Sequence, residues 1–136
     1  MIKPIVRDVL FLSQPSERAT QADRQVIKDL LDTLNANLDG CVGMAANMIG
    51  VRKRIIVVRM GIMSVAMVNP EIVVKAGPYD AEEGCLSLMG TRPCKRYQNI
   101  EVSYQDANFL PRRQKYSGWI AQIIQHEIDH CNGVII

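Results

Sequence analysis

The chain has 136 residues, enough for one domain with a sizeable core and too few for a second. Hydrophobic residues make up 48% and charged residues 22%, with only nine Gly and six Pro, which excludes disordered and collagen-like classes. Sixteen Lys and Arg against fourteen Asp and Glu leave a net charge of +2 with no long like-charge run, so direct nucleic-acid binding and a membrane-surface partner are not expected.

The N-terminal MIKPIVRDVLFLSQ contains an apolar run from Val9 to Leu12 only, short of the ~7–15 residues of a signal-peptide core. No stretch approaches the ~18 apolar residues of a membrane span. A cytoplasmic location is expected, and there a disulfide framework is not. Cys41, Cys85, Cys94 and Cys131 are each read as a packed thiol, a ligand or a nucleophile.

A first helix is predicted over about Thr20 to Leu38, where Val26, Ile27, Leu30, Leu31, Leu34 and Leu38 recur at helical intervals behind a capping-box-like Thr20/Asp23 pair. Asp39-Gly40 stops it. Cys41 to Gly50 reads as a loop leading into extended chain. Strands are expected at Arg54 to Met60, Val65 to Val68 and Ile72 to Val74, with a break at Asn69-Pro70 and a turn at Gly77-Pro78. Ile100, Val102 and Tyr104 alternate onto one side of a further strand. Asp106 to Pro111 is a turn before a short segment at Gln114 to Tyr116. A last helix runs from a Ser117 N-cap to Cys131, with Gly133 as its stop. The expected fold is α+β: mainly antiparallel sheets packed around the C-terminal helix, with an N-terminal helix, in one domain over residues 1–136.

Both histidines of the chain lie in His126-Glu127-Ile128-Asp129-His130, on that last helix. Residues four apart on a helix are separated by about 40° around its axis, so both imidazoles can grip one ion, with Glu127 at the edge of their face. That pattern suits a metal and a carboxylate acting as base toward its water. A catalytic site needs a third ligand and an open position. The extended metalloprotease pattern His-Glu-x-x-His-x-x-Gly-x-x-His is not met, because Gly133 fits but Ile136 stands at the last position. The third ligand is therefore sought upstream. Cys131 lies off the ligand face and is read as a packed thiol; the upstream candidate is Cys85, a thiol next to a flexible glycine and a carboxylate.

Glu83-Gly84-Cys85-Leu86-Ser87 and Gln125-His126-Glu127-Ile128-Asp129-His130 resemble the second and third motifs of the peptide deformylases, and Val42 to Gly50 resembles their first. The resemblance implies one divalent metal ion on Cys85, His126 and His130, iron(II) first with zinc or nickel as substitutes. It implies hydrolysis of the N-formyl group from N-formylmethionyl nascent chains at the ribosome, releasing formate. Glu127 would carry the proton from water to the departing amine, and the Leu86 backbone N–H would face the oxyanion. Val42, Gly43, Met48, Gly84, Arg96 and Ile123 would surround the peptide, Val42 and Ile123 lining an apolar pocket for the methionine side chain. Three positions depart from the family: Cys41 replaces a glycine, Met89 a proline, and Met48 the glutamine whose amide helps hold the oxyanion. Met48 raises a second reading, a catalytically weak homologue that binds formylated or N-blocked peptides.

Overall fold

The computed structural model describes residues 1–85 and 87–134, and for Leu88 the backbone alone. Among them run helices α1 (Val9–Leu12), α2 (Arg24–Ala36) and α3 (Gly118–Cys131), and strands β1 (Gly43–Ala45), β2 (Ile55–Met60), β3 (Met63–Cys85), β4 (Leu88–Gln105) and β5 (Pro111–Ser117). The strands form one antiparallel sheet in the order β1-β2-β3-β4-β5. The architecture is α+β, as the pattern of elements suggests.

Strand β2 shows why the helices lie where they do. Successive side chains of a strand point to opposite faces, so an uninterrupted Ile-Ile-Val-Val run needs cover on both. Ile55 and Val57 pack with Ile27, Leu30 and Leu34 of α2. Ile56 and Val58 pack with Ile124 and Ile128 of α3, together with Ile100, Val102 and Tyr104 of β4. The sheet is thus held between α2 and α3, and the motif helix is mostly buried from Ala121 onward.

Local signals mislead in three places. The expected break at Asn69-Pro70 and turn at Gly77-Pro78 both lie inside β3, which pairs with β4 from Val68↔Gln105 to Cys85↔Leu88. A register shift between Val68 and Glu71 absorbs the first, where Asn69 adopts φ 50 and its amide grips Ala19 N and O at 2.7 and 3.0 Å. At the second, Gly77 takes φ 74 while Ala76↔Asn99 and Pro78↔Tyr97 stay paired, so long-range pairing outweighs turn propensity. Cys41 to Gly50 is also not simply extended: β1 is followed by a 3₁₀ turn over Ala46–Ile49. The first helix enters through a 3₁₀ turn at Gln21–Asp23, braced by Thr20 N donating to Asp23 at 2.8 Å, and ends at Ala36. Ser117 does precede α3, but its hydroxyl makes no cap hydrogen bond.

Candidate metal centre

Helix α3 presents His126 and His130 one turn apart, 7% and 1% exposed, and the end of β3 brings Cys85 against them. The ligand atoms of the three residues lie within 4.8 Å of one another. His126 Nε2 and His130 Nε2 are 3.3 Å apart. Two nitrogens held at ~2.0–2.1 Å on one tetrahedral ion stand about 3.3 Å apart, so the imidazoles are already spaced for a shared ion. One thiolate with two imidazoles is a donor set that suits zinc or ferrous iron and leaves a position open.

A buried polar network sets this geometry. Glu83 accepts at 2.7 Å on Oε1 from His126 Nδ1, which turns Nε2 of that ring toward His130. Arg96 grips the same carboxylate with two hydrogen bonds, Nε to Oε2 at 2.9 Å and Nη2 to Oε1 at 2.7 Å, and reaches Asp129 at 2.7 Å. Gln122 donates to Glu83 Oε2 at 2.9 Å. Burial pushes the Glu83 carboxyl up, but hydrogen bonds from His126, Arg96 and Gln122 outweigh it and hold the group below its ordinary range. Burial opposes charge on His126, yet its bonds to Cys85 and Glu83 draw its pKa upward, so metal uptake displaces a proton there. Burial, with the charges of His126 and Arg96, pushes His130 down to about 3, leaving it a neutral ligand. Glu127 Oε1 and His130 Nδ1 are buried with no hydrogen-bond partner among the described residues. Burial first, then the charge of Glu83, pushes the Glu127 carboxyl up to about 7, despite His126. A carboxyl poised there can take and return a proton near neutrality.

Cys85 and His126 open onto a cleft of about 440 Å³. One wall is Leu38 to Gly43, the other Glu82 to Cys85, and α3 supplies Trp119, Gln122, Ile123, His126 and Glu127. Val42, Gly43, Gly84 and Ile123 are therefore at the cleft, beside the expected ligands and base. Gly43 is required by its neighbours: a Cβ there would come 2.7 Å from Ile123 Cγ2 and 3.0 Å from Glu127 Oε2. Arg96 is elsewhere. It is 4% exposed, is not among the described residues of the cleft wall, and is committed to Glu83 and Asp129. Met48 is also off the cleft wall: at 1% exposure it packs in the apolar cluster under α2, against which Cys85 packs from outside. Leu86 lies outside the described residues. Cys131 is a packed thiol in the cluster under α3.

Two positioning residues escaped the sequence reading. Glu83 was legible only as part of its motif, since nothing local says that its carboxylate crosses to a histidine 43 residues away. Asn47 donates from Nδ2 to the carbonyl of His130 at 3.0 Å and ties the 3₁₀ turn after β1 to the ligand helix.

A Cys/His/His donor set with buried histidines and a half-buried cysteine, backed by a carboxylate on α3 and open to a cleft, defines a mononuclear metallohydrolase. The polypeptide deformylase family model matches residues 3–136. The chain belongs to that family. It is 60% identical over 136 residues to a peptide deformylase of Clostridium beijerinckii, covering all of both chains. The structure superposes on that of a peptide deformylase from Legionella pneumophila with TM-score 0.89 and 31% identity, over 99% of this chain and 83% of that one. It also matches a peptide deformylase of Synechococcus elongatus solved with actinonin, with TM-score 0.86 and 35% identity over 98% and 75% of the two chains. No helix among the described residues is long and apolar enough to cross a membrane.

Proposed function

We propose that the chain hydrolyses the N-formyl group of N-formylmethionyl chains through Glu127 acting beside a divalent ion on Cys85, His126 and His130. The observation that carries this reading is the 4%-exposed Glu127 carboxylate, its Oε1 unpartnered among the described residues, which lines the same cleft as Cys85 and His126 of the donor set. A metal held there supplies Lewis acidity to a water and to the formyl carbonyl. Glu127 takes a proton from the water and delivers it to the departing amine nitrogen, so that formamide and water become formate and a free amine. Glu83 fixes the His126 ring, Arg96 fixes Glu83, and Val42, Gly43 and Ile123 enclose the first side chain. The backbone of β1, an edge strand, offers the peptide a strand to pair with. Ferrous iron is the ion proposed, by resemblance to the family, and the same donors accept zinc or nickel. The nascent chain at the ribosome is the proposed source of substrate, in the cytoplasm.

Glu127→Ala is expected to keep one bound ion per chain while formate release from a formyl-Met peptide falls ~10²–10⁴-fold. Cys85→Ala is expected to lose the ion as well, read by metal analysis. Undiminished turnover in Glu127→Ala would refute the mechanism. The reading as a weak binder is not favoured, because a protein that only binds blocked peptides has no use for a base in that position.

A further inference from the structure

We propose that Asn47 is the positioning residue of the ligand His130: its amide anchors the end of α3 by the His130 backbone, doing for that imidazole what the Glu83 carboxylate does for His126. The inference rests on the reading of Cys85, His126 and His130 as ligands and adds a determinant of how long the ion stays. The two imidazoles are held differently. His126 lies inside α3, and its Nδ1 meets the Glu83 carboxylate at 2.7 Å. A ligand histidine almost always gives its second ring nitrogen such a partner, which fixes the ring and its tautomer. His130 Nδ1 is buried and has none among the described residues, although its Nε2 stands 3.3 Å from that of His126. His130 also belongs to the last turn of α3, where carbonyls lack intrahelical partners and helices fray.

Asn47 supplies the missing anchor. Its Nδ2 donates to the His130 carbonyl at 3.0 Å, joining residues 83 positions apart. The amide stands on a stiff support: the 3₁₀ turn Ala46–Ile49 ends at Gly50, φ 88, whose N–H donates to Asn47 O at 3.1 Å, and Val6 N donates to Met48 O at 2.8 Å. The amide is there for position and not for stability. Asn47 is 1% exposed between Ala46 and Met48, and its Oδ1 is buried with no partner among the described residues. A buried amide satisfied on one side only carries a cost that an apolar side chain would not. Without Asn47 the His130 carbonyl keeps a donor, since Gly133 N reaches it at 3.1 Å. Gly133 follows the helix end and moves with it, whereas Asn47 ties that end to the segment after β1.

The test compares Asn47→Leu, close in volume and without the amide, with Thr33→Val on α2. Thr33 is fully buried, and its hydroxyl donates to Asp29 O at 2.7 Å and accepts from Lys3 N at 2.9 Å, so that variant removes a buried polar group away from the ligands. Three quantities are read: the urea midpoint of the metal-free protein, the rate at which zinc-loaded protein yields its ion to excess chelator, and the visible spectrum of the cobalt(II)-substituted protein. Asn47→Leu is expected to keep or raise the urea midpoint, to lose zinc about 10- to 100-fold faster, and to shift the cobalt bands. Its kcat for a formyl-Met peptide should fall with KM unchanged, because Asn47 is not among the described residues of the cleft wall. Thr33→Val should lower the urea midpoint and leave ion loss and spectrum as in the parent. Zinc loss and cobalt bands unchanged in Asn47→Leu overturn the proposal, as does a faster loss that Thr33→Val reproduces. If the Leu variant does not fold, Asn47→Ala is read by the same criteria. Turnover of no formyl peptide would count against the deformylase reading, while the ion-loss rates would still decide this one.

Discussion

Gly43 leaves no room for a side chain because α3 needs the space: Ile123 Cγ2 and Glu127 Oε2 stand where a Cβ would project. Gly43→Ala must push Glu127 away from its place beside the ligands, and misplacement of a catalytic group by about 1 Å can cost on the order of 10² in rate. At least a ten-fold fall in kcat is expected with the fold retained, read by formate release together with circular dichroism. Met48 poses the opposite question. The family's amide is missing there, yet the thioether packs among Ile27, Leu30, Leu34 and Val57 and does not line the cleft. Met48→Gln is therefore expected to bury an unpaired amide, at a cost of about 1–3 kcal/mol in urea unfolding, with no gain in kcat. A ten-fold rise in kcat would show that a donor at this position reaches the oxyanion.

At the scale of elements, the long β3-β4 pair and helix α3 build the site between them. Gln125 clamps them together, accepting from Tyr97 N at 2.8 Å and donating to Tyr97 O at 2.9 Å, as a strand neighbour would. The far end of β4 depends on the turn into β5, where Asp106 accepts from Asn108 N, Leu110 N and Arg112 Nε at 2.9, 3.1 and 3.0 Å. The backbone N–H of Leu110 leads in holding the Asp106 carboxyl below its ordinary range, despite some desolvation. Because its pKa is lower in the folded state, its contribution is present above the unfolded carboxylate value, ~3.9, and is lost as pH falls through the folded one. Asp106→Ala is expected to lower the denaturation midpoint at pH 7, and its difference from the parent should vanish on acidification below that range. A gap unchanged at low pH would mean that the carboxylate charge is irrelevant to the turn. Helix α3 was legible from its periodicity and its Gly133 stop. The continuity of β3 was not, since residues 19 to 37 positions away in β4 hold Asn69-Pro70 and Gly77-Pro78 in a strand that their own propensities oppose.

For the whole molecule, the two histidines belong to α3 and the cysteine to the end of β3, so a bound ion bridges elements distant in sequence. Ligand binding to the folded state alone stabilises by RT ln(1 + [L]/Kd), ~2.7 kcal/mol at a hundred times Kd. A chelator is expected to lower Tm and returned metal to restore it, while Cys85→Ala should show neither response; a parent Tm indifferent to the chelator would count against a bridging ion. The sequence by itself determined that His126, Glu127 and His130 share one helix, because they are related by helical geometry alone. It also determined the α+β class, because period and length of the apolar runs separate helix from strand. Only the tertiary structure decided that Arg96 turns inward to Glu83 and that Met48 packs in the core. Glu83 facing His126 was decided there too. Each of these depends on which segments meet across the sheet, and side-chain chemistry read along a chain carries no record of the partner that folding will bring to it.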